Sequence, residues 1–124
     1  MKFVVAFLLG IIFSTTAMAQ HTHGAKGPNG GETQDVAGVE VELVAAGNTV
    51  TLYIADESHK PVSVQGYSAS ILVVSPDGQE PVTLAAAGEN VLKGTTNAAI
   101  GPGTTITVML KTAAGKSGQI RFKK

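Results

Sequence analysis

The stretch Val39–Asp56, VEVELVAAGNTVTLYIAD, reads as one β-hairpin. Gly47-Asn48 separates two alternating runs, and such a two-residue loop suits the tight primed turns because Gly accepts positive φ and Asn tolerates it. Counting outward from the turn pairs Ala45 with Val50, Leu43 with Leu52 and Val41 with Ile54, which makes one face apolar on both strands. Glu40, Glu42, Thr49, Thr51 and Tyr53 fall on the other face. A slip of one residue would carry the whole apolar set to the polar side, so a buried partner sheet holds the register. An isolated hairpin is at best marginal in water, and the rest of the chain must cover Val41, Leu43, Leu52 and Ile54.

That cover is predicted to be more strands. Asp56-Glu57-Ser58-His59-Lys60-Pro61 is a polar loop in which Pro61 disfavours a helical Lys60. Tyr67–Ser75 alternates and then becomes a continuous apolar run, the pattern of a central strand. Pro76-Asp77-Gly78 has turn chemistry, and Pro81–Ala85 returns with Val82 and Leu84 inward. Val91–Thr95 is a short strand, Thr104–Thr112 alternates cleanly, and Gln119–Lys123 closes with Ile120 and Phe122 inward. No window carries a 3.6-residue period. About seven short strands over residues 39–124 predict an all-β fold, an Ig-like antiparallel β-sandwich, with an open barrel as the alternative.

Upstream, residues 1–19 combine Lys2, an apolar run from Phe3 to Phe13 and a small-residue Ala17-Met18-Ala19 site, the anatomy of a cleaved secretory signal peptide. The apolar run is shorter than the ~20 residues of a spanning helix, so the expectation is an exported, periplasmic protein with no membrane anchor after processing. Residues 20–38, rich in Gly, Pro, Asn and His, predict a flexible arm before a domain over 39–124. Loss of Lys2 leaves eight cationic residues against nine acidic ones, a net charge of about −1. Neither a basic stripe nor interleaved aromatics are present, which argues against a nucleic-acid partner. With no cysteine there are no disulfides and no thiolate metal sites. Only Tyr53, Tyr67 and Phe122 remain as aromatics after the signal, so the core is small and aliphatic.

Candidate chemistry is confined to histidines. The arm beginning QHTHGAKGPNGG places His21 and His23 beside the amino terminus expected at Gln20. Imidazoles, with an amine and a backbone amide, suit copper, zinc or similar cations. His59, in a loop with Asp56 and Glu57, is a candidate third ligand. Met109 points outward in the strand parity, and a single thioether does not make a methionine-rich site. Enzyme signatures fail: Gly66-Tyr67-Ser68-Ala69-Ser70 ends in serine where a nucleophile elbow requires glycine. Gly27–Thr33 lacks the lysine of a phosphate loop. A non-catalytic binding protein is expected, with an envelope module that pairs through an exposed sheet edge or the Gly-Pro arm and binds no metal as the alternative.

HGAKGPNGG at 23–31, VEVELV at 39–44, LYIADESHKPV at 52–62 and VTLAAAGENVLKG at 82–94 together resemble a set of small exported bacterial proteins, most of them uncharacterised. The Gly-Pro-x-Gly-Gly arm, with Tyr53-x-x-Asp56-x-x-x-Lys60-Pro61, also resembles a short segment of periplasmic adaptor subunits from heavy-metal efflux pumps. The match covers about a third of the chain and carries over to His23 and Gly27–Gly31. It implies a periplasmic protein associated with copper, zinc or cobalt handling and a metal-efflux or other envelope protein as partner. The chain lacks the helical hairpin that an adaptor itself needs.

Overall fold

The computed structural model describes residues 25–124, so the signal peptide read over 1–19 and arm residues 20–24 lie outside the described part. Nine strands follow in order: β1 Ala25–Lys26, β2 Glu32–Val36, β3 Val39–Ala46, β4 Thr49–Ala55, β5 Ser68–Ser75, β6 Gly78–Gly88, β7 Val91–Thr95, β8 Thr105–Lys111 and β9 Ser117–Lys123. All pairings are antiparallel, and no helix occurs among the described residues. The spatial order is β1-β2-β3-β4-β7-β6-β5-β8-β9.

This single sheet curls into two facing halves because β6 turns the corner. Residues 78–84 of β6 pair with β5, whereas Ala85, Ala86 and Gly88 pair with β7 across a register shift. A strand that changes partners at a bulge or bend is the usual way to join two packed sheets. On the opposite side β2 approaches β9, and the Gln34 side-chain amide donates to the Arg121 carbonyl. The loop after β7 is tied to the turn of the β3–β4 hairpin: Thr96 N donates to Asn48 O at 2.7 Å and Ile100 N to Gly47 O at 2.8 Å. This delivers the chain to the start of β8.

The predicted hairpin register is the observed one, with Ala45 opposite Val50, Leu43 opposite Leu52 and Val41 opposite Ile54. Gly47 adopts φ +60 and Asn48 a negative φ, the type II′ pattern. Val41, Val50, Leu52, Ile54, Ile71 and Val108 are fully buried, and Leu92, Ile106, Leu110 and Phe122 nearly so. Val82 and Ile120 are partly buried against this core.

Two expectations change. Of the arm read as flexible, the described portion is folded: β1 and β2 form a hairpin, and all five residues of β2 pair with β3. The connection from β2 to β3 is a two-residue loop with Ala37 at φ +52 and Gly38 at φ +82. Ala at a position with positive φ does not signal a hairpin in sequence. Glu42, read as part of a polar face, is only 2% exposed because the β1–β2 turn folds over it.

Candidate metal-binding cavity

The outer surface of β3 and β4 carries Glu40, Glu42 and Tyr53, with Glu42 directly opposite Tyr53 and Glu40 opposite Ala55. Gly27-Pro28-Asn29-Gly30-Gly31 closes over this surface. Gly30 N donates to Gly27 O at 3.0 Å and Gly27 N to Gly31 O at 2.8 Å, with Gly30 at φ +80. The Glu42 carboxylate accepts from Gly31 N at 2.8 Å, Asn29 N at 2.9 Å and Asn29 Nδ2 at 3.0 Å. A Cβ at Gly27 would stand 2.3 Å from Glu42 Cδ, and one at Gly31 would stand 2.2 Å from the Leu43 carbonyl oxygen. Close backbone approach therefore explains two of the glycines in the motif, and positive φ explains Gly30.

Facing this turn is the loop after β4. Asp56 Oδ1 accepts from Ser58 N at 2.8 Å and Lys60 N at 3.0 Å, an Asx arrangement that folds the loop on itself. His59 N donates to Asp56 O at 2.9 Å and Asp56 N to Lys60 O at 2.8 Å. The same pair of backbone bonds occurs at Gly27–Gly31 and at Thr112–Lys116. In those two turns the fourth position is Gly30 at φ +80 or Gly115 at φ +83; here it is His59 at φ +63. A histidine thus occupies the left-handed position that glycine takes elsewhere in the same molecule.

That backbone turns the imidazole toward β3. His59 Nδ1 lies 3.0 Å from Glu40 Oε2; the histidine side chain is 76% exposed and the glutamate 17% exposed. The pair sits on the wall of a cavity of about 610 Å³ whose lining also includes Ala25, Lys26, Tyr53 and Asn90. Among the described residues no three His, Cys, Asp or Glu side chains converge.

His59 therefore has a defined place, while His21 and His23 lie outside the described residues. Ala25, two residues after His23, lines the same cavity as His59. Met109 projects from β8 in the other half of the sheet, is 40% exposed, and borders a separate depression with Ser68 and Lys111. Sequence reasoning passed over Glu40 and Glu42. Glu40 was within reach of it: the hairpin register sets Glu40 beside Ala55, where the His59 loop begins. Comparison with family models, with curated proteins and with solved structures finds no match for this chain.

Proposed function

We propose that this is a small periplasmic binding protein that captures or passes a divalent transition metal, copper, zinc or a similar cation, through His21 and His23 with help from His59. The observation that carries the reading is the shared cavity: Ala25 and His59 line one space. In the sequence His23 stands two residues before Ala25. Imidazole nitrogens from His21, His23 and His59, completed by oxygen donors, would form a mixed nitrogen and oxygen ligand set. Such a set suits Zn(II), Cu(II) or Co(II), whereas Cu(I) favours sulfur. There is no cysteine, and Met109 belongs to another depression. The fit to metal handling accords with the resemblance to efflux adaptor segments, and the natural partner is a metal-efflux component of the envelope. No catalytic role is assigned.

The test is calorimetric titration of Zn(II) and Cu(II) into mature protein purified from the periplasm, beside a His21→Ala, His23→Ala variant. Binding that is tight in the first and lost in the second is the expected result. Affinity no better than that of an unstructured histidine peptide refutes the proposal.

A second reading has its own support. No Asp or Glu follows Glu89, and Lys111, Arg121 and Lys123 project together, exposed, from the outer surface of β8 and β9. Such a cationic face fits an envelope protein that presents an acidic surface. Retention of a partner in chelator and its release by salt would favour this metal-free role.

A further inference from the structure

We infer that Asn29-Gly30 is a site of spontaneous deamidation that Glu42 holds in check, and that its conversion releases the 27–31 turn from the sheet. The inference is independent of the metal reading above. In an asparagine–glycine step the glycine nitrogen can attack the asparagine Cγ, because glycine has no side chain to obstruct the approach. The new N–Cγ bond closes a succinimide ring, the Cγ–Nδ2 bond breaks, and ammonia leaves with the proton of the glycine N–H. Water then opens the ring at either carbonyl, which leaves a carboxylate at position 29 in a normal or a β-linked backbone. Asn29 alone among the asparagines is followed by glycine; Asn48, Asn90 and Asn97 precede Thr49, Val91 and Ala98. Asn29 and Gly30 are both exposed, so water reaches the step.

The folded turn opposes the attack at both reacting groups. Gly30 N is engaged with Gly27 O at 3.0 Å. The carboxamide is fixed by Nδ2, which donates to Glu42 Oε1 at 3.0 Å, while Asn29 N donates to Glu42 Oε2 at 2.9 Å. Reaction therefore waits on local opening of the turn, and a hydrogen bond to a charged group is strong enough to slow that opening roughly 10-fold or more. The product does not close again. Where Nδ2 donated to Glu42, an anionic oxygen now faces a carboxylate that is only 2% exposed, and two like charges in one covered site disfavour each other. A β-linked backbone also carries an added methylene into a turn whose length is fixed by the bonds Gly30 N to Gly27 O and Gly27 N to Gly31 O. Gly27, Pro28 and Asn29 line the cavity that His59 shares, so the modification removes one of its walls in a single irreversible step.

The experiment incubates the mature protein in mildly alkaline buffer and follows the amide-to-acid mass shift in the peptide that contains Asn29. Wild type under native conditions is compared with wild type in urea and with Glu42→Ala, whose fold is monitored by circular dichroism. Conversion at Asn29 is expected to be roughly 10-fold or more slower in the native wild type than in urea. In Glu42→Ala it should move most of the way to the urea rate. Asn29→Asp and Asn29→Ser keep the test decisive if Glu42→Ala does not fold. Both remove the Nδ2 donor and only the first adds a charge, so Asn29→Asp is expected to have the lower urea midpoint and the faster hydrogen exchange at Gly31 N–H. Equal rates in native and unfolded wild type would overturn the guarding role of Glu42. Equal midpoints for the two Asn29 variants, with Gly31 N–H protected in both, would overturn release of the turn. Faster native conversion at Asn48, Asn90 or Asn97 than at Asn29 would overturn the assignment of the site.

Discussion

Replacing Glu42 by Ala removes the acceptor on which the whole β1–β2 turn rests. Three donors lose their partner: Gly31 N at 2.8 Å, Asn29 N at 2.9 Å and Asn29 Nδ2 at 3.0 Å. Gly31 is buried, whereas Asn29 is exposed, so water can satisfy the two asparagine donors but not the glycine N–H. A hydrogen bond to a charged group contributes about 1.5–3 kcal/mol, and a buried donor left unpaired costs about 1–3 kcal/mol. The expected destabilisation is about 3–4 kcal/mol, a large part of the ~5–15 kcal/mol typical of a domain. Glu42→Gln keeps the length but turns an NH2 toward an N–H, so about half that loss is expected. Urea unfolding of the mature protein, followed by circular dichroism, measures both. With a urea slope of about 1–3 kcal/mol per molar for small proteins, the midpoint of Glu42→Ala should fall by more than 1 M. A loss below about 1 kcal/mol in Glu42→Ala, or wild-type stability in Glu42→Gln, would refute the view that this carboxylate clasps the turn to the sheet.

Two further substitutions address strain and satisfaction elsewhere. Ala37 has φ +52 in the β2–β3 loop; Ala37→Asn, which tolerates that conformation, should stabilise the protein by about 0.5–1 kcal/mol, and an unchanged or lower thermal midpoint would contradict the strain. Thr112 Oγ1 is buried without a hydrogen-bond partner. Thr112→Val should therefore raise stability by about 1 kcal/mol, and a loss on denaturant unfolding would show that the hydroxyl is satisfied after all.

The strands from β3 onward were legible because their signals are local. Alternation at period two marks which residues face a core, and Gly47-Asn48 sets the register of Val39–Ala55 without reference to any distant residue. Pro76-Asp77-Gly78 and the glycines near 101–103 and 115–118 likewise place their turns by backbone preference alone. His59 was visible as a residue type in a polar loop, but nothing local distinguished it from an exposed histidine.

What the tertiary structure alone decided depends on contacts between segments far apart in the chain. The curled sheet arises because β6 leaves β5 for β7 halfway along its length, a choice that requires both partners to be present. Residues 27–36 show no strand alternation that an unaided reading can separate from a mobile arm. They pair because β3 offers an open edge and Glu42 an acceptor for Asn29 and Gly31. The same folding that buries Glu42 raises one wall of the cavity, and the left-handed backbone at His59 turns its ring to Glu40 on the other. Sequence determined which residues could be strands and where they reverse, since those are properties of neighbours along the chain. The long-range pairings decided which carboxylate became a structural clasp and which became a partner for histidine, because burial and hydrogen bonding are set by what packs across the sheet.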